Sequence, residues 1–240
     1  MLKLMEVTAG YGKLQILNGI TFRAKKGDIT VVLGSNGCGK STTLKVITGL
    51  LKPTGGTITF QEKSIAGLRP PEIVRSGITY VTQNKDVFPS MTVEENLLLG
   101  AYTIRDKKQI SKNMEEVLTF LPRLKERFHS PSGLLSGGEQ QMLSIGRGLM
   151  SGPKMLILDE PSAALSPKIS QETYELIRRL HTEKEIAILL VDQNVKLALE
   201  VADYVYVFSE GKVVMSGTAD QLRENPASTA MPGAPCQPDR

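Results

Sequence analysis

The fold is decided by the stretch Gly34-Ser35-Asn36-Gly37-Cys38-Gly39-Lys40-Ser41, which fits the pattern G-x-x-x-x-G-K-[ST]. An apolar run, Ile29 to Leu33, precedes this stretch, and a helix-like segment from Ser41 to Leu51 follows it. Strand, loop and helix in this order are typical of a phosphate-binding loop, because the glycines let successive backbone N–H groups point at phosphate oxygens. A glycine-rich turn beside a surface lysine would give the same pattern, so the motif needs support from elsewhere in the chain.

The phosphate-binding loop predicts a set of nucleotide contacts. Lys40 would reach the β- and γ-phosphates, and the Ser41 hydroxyl would bind Mg²⁺. The residues predicted to bind nucleotide in this segment are Gly34, Ser35, Asn36, Gly37, Cys38, Gly39, Lys40, Ser41 and Thr42. For Cys38 two interpretations stay open: a thiolate made reactive by the surrounding N–H groups, or a small side chain that fits the loop.

A second glycine-rich segment lies far downstream and reads Leu135-Ser136-Gly137-Gly138-Glu139-Gln140-Gln141. Ser136 offers a hydroxyl, and Gly137 and Gly138 expose backbone N–H groups at the start of a helix, which predicts a second anion site. The helix that follows carries apolar residues at helical spacing, so one of its faces should be buried. By itself such a segment would be only a flexible helix cap.

Together the two segments resemble the ATP-binding-cassette (ABC) ATPases, whose signature LSGGQ is repeated here with Glu139 in the fifth place. The resemblance implies ATP and Mg²⁺ as ligands and a dimer of ATP-binding subunits. In that dimer each ATP would lie between the phosphate-binding loop of one subunit and Ser136, Gly137 and Gly138 of the other.

The resemblance also implies an α/β fold of the P-loop NTPase type, with a RecA-like core, a mostly parallel sheet and N-terminal antiparallel strands. Apolar runs that do not alternate and are separated by helices favour parallel strands independently. The expected bounds are 1–83 and 151–225 for the ATP-binding core and 84–150 for an inserted helical subdomain that carries the signature. The Pro-rich tail, 226–240, is expected to be disordered.

Two carboxylates end the apolar run Leu156-Ile157-Leu158-Asp159-Glu160. Open α/β sheets bind ligands at the carboxyl ends of their strands, which favours a functional role for both acids. Asp159 would orient Mg²⁺ or its waters, and Glu160 resembles the family's catalytic carboxylate, which polarises the attacking water. The alternative is that the acids only cap the next helix.

Three further residues carry predicted roles. Gln83 matches the glutamine of the family's Q-loop, which contacts the metal or the water. Tyr11 resembles the aromatic residue that stacks on adenine, although a tyrosine at a strand end is often only part of the core. Gln193 stands where the family usually has a histidine that contacts the γ-phosphate. A second departure is Ser166, which stands where an aspartate is common, and both departures leave the hydrolytic geometry open.

The segments around Phe88–Leu97, the signature and Val191–Val195 look most like ATPase subunits of bacterial branched-chain amino-acid importers. That likeness implies a second ATP-binding subunit, identical or paralogous, two transmembrane permease subunits and, indirectly, a substrate-binding protein. The expected place is the cytoplasmic face of the plasma membrane. Urea-type importers, lipopolysaccharide exporters and cofactor-assembly ATPases share much of the pattern and stay as alternatives, as does a nucleotide-binding module without enzymatic activity.

Composition sets looser bounds. The 240 residues suffice for one α/β domain with an inserted lobe, and the net charge of +4 is spread along the chain, so nucleic acid is not an expected partner. Two cysteines cannot form a disulfide framework, which favours a reducing compartment. The longest apolar run, Ile186 to Val191, is far shorter than the about 20 residues that span a bilayer, so membrane spans must come from other chains.

Overall fold

The computed structural model describes residues 1–84 and 86–224, and it divides into two compact units. The first unit comprises Met1–Arg69 and the chain from Ala187 onward, and the second comprises Pro70–Ile186. These units are defined by contacts within the chain and not by function. The predicted bounds of the ATP-binding core, 1–83 with 151–225, and of the helical subdomain, 84–150, therefore stay a prediction. The tail predicted to be disordered, 226–240, lies outside the described residues.

The elements follow one another along the chain in three groups. The first unit begins with strands and one helix: β1 Leu2–Tyr11, β2 Leu14–Ala24, β3 Ile29–Gly34, helix α1 Lys40–Ile47, β4 Gly55–Phe60 and β5 Lys63–Ser64. The second unit is mainly helical: α2 Pro70–Ser76, β6 Ile78–Val81, α3 Val93–Gly100, α4 Lys107–Phe120, α5 Pro122–Glu126, a 3₁₀ turn Ser132–Leu134, α6 Gly137–Leu149, β7 Met155–Asp159 and α7 Pro167–Lys184. The chain then completes the first unit: β8 Ala187–Val191, α8 Val195–Val201, β9 Tyr204–Ser209, β10 Lys212–Thr218 and α9 Ala219–Glu224.

The N-terminal strands form an antiparallel sheet in the order β2-β1-β4-β5. β1 pairs with both β2 and β4, and its residues largely alternate between buried and exposed positions. Such alternation is expected of a sheet with one face against the core and one face in solvent. The predicted antiparallel strands are therefore present.

Strand β3, which leads into the phosphate-binding loop, lies between β8 and β9 and is parallel to both. Residues 29–33 of β3 and all residues of β8 are buried, which explains why both strands read as unbroken apolar runs. β9 and β10 form an antiparallel hairpin. Its turn residues, Glu210 at φ 50° and Gly211 at φ 74°, both have the left-handed conformation that the tightest hairpin turns require.

In the second unit β6 and β7 are parallel, with Ile78 opposite Met155 and Val81 opposite Leu158. Parallel pairing brings the carboxyl ends of both strands to one edge. The segment after β6, which contains Gln83, and the segment after β7, which begins with Glu160, therefore leave the sheet side by side.

The helix after the phosphate-binding loop is shorter than the sequence pattern predicts, because it ends at Ile47 rather than near Leu51. Gly49 adopts φ 75°, and a Cβ at this position would lie 2.2 Å from the carbonyl oxygen of Leu68. The N–H groups of Leu50 and Leu51 both bind the Lys45 carbonyl oxygen, so the chain closes a left-handed helix cap. Apolar periodicity cannot reveal such a stop.

Between 84 and 150 the described residues form helices α3 to α6, whose bounds the sequence pattern did not locate. Among the described residues, no helix combines the length and the apolar character that crossing a membrane requires.

Asn96 on α3 is completely buried and organises the segment in front of that helix. Its Oδ1 accepts the Phe88 N–H at 2.9 Å, and its Nδ2 donates to the carbonyl oxygens of Phe88 at 3.1 Å and Thr92 at 2.9 Å. Nδ2 also lies 3.1 Å from the hydroxyl oxygen of Ser132. The side chain thus satisfies buried polar groups of two segments at once.

We expect Asn96→Ala to lower the free energy of unfolding by about 1–3 kcal/mol, because it leaves these buried polar groups without a partner. Chemical denaturation measures the change. The control is Gln171→Ala, which removes an exposed amide from α7 and should change stability by less than about 0.5 kcal/mol. Equal stability of the parent and Asn96→Ala would contradict the structural role assigned to this amide.

Candidate nucleotide-binding site

In the first unit the loop between β3 and α1 can form only with glycine at several positions. Gly34, Gly37 and Gly39 have φ values of 157°, 81° and 107°. A Cβ on Gly34 would lie 2.5 Å from the Phe208 carbonyl oxygen and 2.6 Å from the Cys38 sulfur. These backbone conformations and contacts explain why the loop sequence is rich in glycine.

Lys40 is the first residue of α1, and its side chain turns back into the loop. The Lys40 Nζ donates to the carbonyl oxygens of Gly34 at 2.7 Å and Ser35 at 3.0 Å, and the residue is 5% exposed. Ser41 is exposed and Thr42 is buried in the same helical turn. An ammonium group beside the N-terminal end of a helix makes this loop suited to a polyanion such as a nucleotide triphosphate.

Cys38 is buried inside the loop and 4% exposed. The Lys40 Nζ lies 4.0 Å from its sulfur, and a Cβ built on Gly34 would lie 2.6 Å from that sulfur. Reactive cysteines lie in partly exposed positions, so burial favours the interpretation that Cys38 is a small residue that fits.

Tyr11, at the end of β1, is 46% exposed, which does not agree with the alternative that it is a core residue. The Lys45 Nζ lies 5.6 Å from the centre of its ring and 3.4 Å from its hydroxyl oxygen. An exposed ring of this kind offers a flat surface to a base.

Gln193 follows β8, and the structure brings it to the phosphate-binding loop. The Gln193 Nε2 donates to the Asn36 Oδ1 at 2.8 Å, across 157 residues of sequence. Asp192, its neighbour, is buried and accepts the N–H of Asn194 at 2.8 Å. Gln193 thus lies beside residues predicted to bind phosphate, and its contact with the γ-phosphate stays a prediction.

In the second unit the two acids after Leu158 have different environments. Asp159 ends β7 and is 6% exposed, and its Oδ2 accepts the hydroxyl of Tyr80 at 2.8 Å. Glu160 leaves the strand with φ 45°, a left-handed conformation that is unfavourable for this residue type. The Gln83 Nε2 donates to the Glu160 Oε2 at 2.9 Å. Gln83 and Glu160, for which separate roles were predicted, are therefore in direct contact.

Tyr80 is a residue that sequence reasoning missed. Burial, followed by the negative charge of Asp159, raises the pKa of its phenol, so the hydroxyl stays protonated and acts as a donor. The available signal was an aromatic residue with a polar tip inside the buried strand Ile78–Val81. Its target was not readable, because it depends on the register that places Tyr80 opposite Ile157.

The signature segment, also in the second unit, forms a capping box at the start of α6. The Ser136 hydroxyl oxygen accepts the Glu139 N–H at 3.3 Å, and a Glu139 carboxylate oxygen accepts the Ser136 N–H at 2.8 Å. The Ser136 hydroxyl can still donate a hydrogen bond to another acceptor. A Cβ on Gly138 would lie 2.7 Å from the Ile169 side chain, so close packing on α7 favours glycine there.

Ser166, the departure noted in the loop after Glu160, is the N-cap of α7. Its hydroxyl oxygen accepts the Ile169 N–H at 3.5 Å, and Pro167 occupies the first helical position. Serine and aspartate are both good N-caps, so the exchange preserves this local function.

Comparison with known proteins places these residues in a family. A family model described as "ABC transporter" matches residues 17–163. The chain is 43% identical over 226 residues to the high-affinity branched-chain amino acid transport ATP-binding protein BraG of Pseudomonas aeruginosa, covering 94% of this chain and 96% of that protein. It is 40% identical to the probable branched-chain amino acid transport ATP-binding protein LivF of Archaeoglobus fulgidus, covering 94% of this chain and 95% of the relative.

Solved structures of ATP-binding cassettes are also similar to this chain. The ADP conformation of an ATP-binding cassette of an ABC transporter matches with a TM-score of 0.87 and 29% identity, covering 96% of this chain and 97% of that one. A dimeric cassette in a post-hydrolysis state, bound to ADP and phosphate, matches with a TM-score of 0.80 and 25% identity, covering 91% and 99%. The predicted fold class is confirmed by these likenesses.

The capping box makes a prediction about pH. The hydrogen bond from the Ser136 backbone holds the pKa of Glu139 below its ordinary value of 4.5. A lowered carboxylate pKa contributes stability that is present above the pKa of the unfolded chain and is lost as the pH falls through the folded pKa. Glu139→Gln keeps an oxygen for the Ser136 N–H but removes the charge, so it should lower the Tm at pH 7, and this difference should shrink as the pH falls below 4.5.

Thermal unfolding of the parent and Glu139→Gln across this pH range measures the effect. Glu115→Gln, which neutralises an exposed carboxylate on α4, is the matched control and should show a smaller dependence on pH. A Tm difference for Glu139→Gln that stays constant with pH would show that its charge contributes nothing to the cap.

Proposed function

The chain belongs to the ABC transporter family, and on that premise we propose that it is the ATP-hydrolysing subunit of an importer for branched-chain amino acids. The observation that carries the proposal is similarity along nearly the whole chain to ATP-binding proteins of branched-chain amino acid transport. The residues that the hydrolysis of ATP needs are also present. The non-enzymatic module considered above is not supported, since it would not require Glu160.

ATP is proposed to bind the first unit through its phosphates. The N–H groups of residues 34–39 and the Lys40 ammonium supply positive electrostatic potential, and Thr42 and Ser41 follow in the first helical turn. For the ammonium to reach a phosphate, the bonds from Lys40 to the carbonyl oxygens of Gly34 and Ser35 must be exchanged for bonds to the ligand. Tyr11 would stack on the base.

The residues proposed to hold a metal suit Mg²⁺. Ser41 offers an exposed hydroxyl, Asp159 a buried carboxylate and Gln83 an amide oxygen, and hard oxygen donors are what this ion prefers. Among the described residues there is no group of three or more His, Cys, Asp or Glu that could hold a metal ion. Bound Mg²⁺ would neutralise charge on the β- and γ-phosphates.

Hydrolysis is proposed to depend on Glu160 and Gln83. The Glu160 carboxylate would accept a proton from the attacking water. The Gln83 Nε2, 2.9 Å from the Glu160 Oε2, would orient that carboxylate. Gln193 would donate to the γ-phosphate from its place beside Asn36. An amide can donate this bond but cannot titrate near neutral pH, in contrast to the usual histidine.

The ATPase is proposed to act as a dimer, in which Ser136, Gly137 and Gly138 contact the nucleotide of the partner subunit. The dimeric state of the similar cassette supports this arrangement. Within the chain, the free hydrogen of the Ser136 hydroxyl and the N–H groups at the start of α6 fit an anion.

The transmembrane subunits are proposed to contact an apolar surface of the second unit. Phe88, Leu99 and Tyr102 are 49%, 38% and 64% exposed and line one cavity of about 430 Å³, which we call the apolar cavity although Asp86 and Arg147 also contribute to its lining. Exposed apolar residues grouped in this way mark interaction sites. Because the subunit of a transporter must transmit its conformational change to the permease, we assign this surface to the permease. The subunit would then be held at the cytoplasmic face of the membrane, where ATP is available.

Glu160→Gln tests the catalytic role. The amide keeps the shape of the side chain but cannot accept a proton, so ATP binding should persist while phosphate release falls by about 10²-fold or more. Nucleotide binding and phosphate release are measured on the purified protein. In cells that lack the parent gene, the variant should fail to restore uptake of labelled leucine, which the parent restores.

The two readouts separate the claims. Phosphate release near the parent rate would remove Glu160 from the catalytic role. Unchanged leucine uptake after deletion of the gene would refute the proposed cargo. It would not contradict the proposed ATPase activity, which is measured on the purified protein.

Tyr102→Glu tests the proposed permease contact. Glutamate at this position removes the apolar ring and adds a charge that docking would have to desolvate, so it should prevent co-purification with the transmembrane subunits, while ATP hydrolysis by the isolated protein should persist. Val214→Glu, which places the same charge on β10 at a residue that is 59% exposed, is the control and should leave the complex intact. Co-purification of Tyr102→Glu at the parent level would exclude this surface as the contact.

A further inference from the structure

Tyr80 joins the proposed metal ligand Asp159 to the apolar cavity of the second unit. Its hydroxyl donates to the Asp159 Oδ2 at 2.8 Å, and its side chain lines the apolar cavity together with Phe88, Leu99 and Tyr102. One end of the side chain therefore contacts the proposed metal ligand, and the ring forms part of the surface proposed for the permease.

Tyr80 and Asp159 lie on the neighbouring parallel strands β6 and β7, with Tyr80 opposite Ile157 and Val81 opposite Leu158. A tyrosine has only two side-chain torsions, so a displacement of its ring moves its hydroxyl as well. The ring thus forms a rigid link between the cavity and the carboxylate.

A hydrogen bond to one oxygen of a carboxylate sets the rotation of that group about its Cβ–Cγ bond. A residue that orients Mg²⁺ or its waters must present its oxygens in a fixed direction, and partners of metal ligands supply that constraint. Asp159 is 6% exposed, so its orientation is determined by protein groups rather than by bulk water. The Tyr80 hydroxyl is such a group.

We propose that Tyr80 is a positioning residue that holds Asp159 for Mg²⁺ and through which a permease segment in the apolar cavity acts on the metal site. The inference rests on the proposed function, because it needs both an ATPase that uses Mg²⁺ and a transmembrane partner. Tyr80 does not contact substrate in this mechanism. It transmits the position of its ring to the Asp159 carboxylate.

Tyr80→Phe tests the positioning role, because it keeps the ring and removes only the hydroxyl. In the full chain that also carries Glu160→Gln, Mn²⁺ is titrated against the ATP complex and followed by electron paramagnetic resonance. We expect Mn²⁺ affinity to fall by about 10-fold or more, which is typical when a partner of a metal ligand is lost. ATP binding without metal should stay at the parent level, which shows that the variant is folded.

Tyr102→Phe is the matched control, since it removes a hydroxyl from the same cavity at a residue 64% exposed, and it should leave Mn²⁺ affinity unchanged. Unchanged affinity in Tyr80→Phe would overturn the proposal. If Glu160→Gln alone binds no metal–ATP complex, the proposed function fails before Tyr80 is tested, so the two failures are distinguishable.

The link to the permease is tested in the complete complex. Tyr80→Phe should reduce the stimulation of ATP hydrolysis by the transmembrane subunits. Tyr204→Phe, which removes a hydroxyl from β9 in the first unit, is the control and should retain it. Stimulation of Tyr80→Phe by the same factor as the parent would overturn the transmitting role, even if its Mn²⁺ affinity is lower.

Discussion

The close backbone approach at Gly34 is the constraint on which the phosphate-binding loop depends. Any side chain there would collide with the carbonyl oxygen of Phe208 on β9 and with the sulfur of Cys38. The loop is also bound from the hairpin turn, where the Gly211 N–H donates to the Cys38 carbonyl oxygen at 3.0 Å. Strand packing thus fixes the directions of the loop N–H groups before any ligand binds, and such preorganisation reduces the cost of binding.

A change of backbone conformation separates the two acids of the second unit. Asp159 still belongs to β7, where Tyr80 reaches it from the neighbouring strand, whereas Glu160 turns out of the strand with φ 45° and meets Gln83. Consecutive residues thereby obtain different partners and can serve different purposes. A strained backbone at one of them is consistent with a functional constraint on its direction, since such strain is kept mainly at functional sites.

The features that could be predicted from sequence are those whose physical cause is local. The glycines of the phosphate-binding loop, the apolar runs of β3 and β8 and the Ser136–Glu139 cap each depend on residues that are close along the chain. The ends of helices were harder to predict from the sequence. The stop of α1 at Ile47 depends on Gly49 and on the carbonyl of Leu68, a contact that no periodicity reveals.

The sequence by itself determined the loop, the signature, the family resemblance and the identity of the residues with candidate roles. Only the tertiary structure decided which of them touch: Gln83 with Glu160 across 77 residues, and Gln193 with Asn36 across 157. It also revealed Tyr80, which the sequence did not single out and which contacts Asp159 across 79 residues. The physical reason is that each pair depends on how separate strands are arranged or aligned and on where their ends lie. Strand register is set by the packing of whole sheets, and a slip of one residue would turn every side chain to the other face.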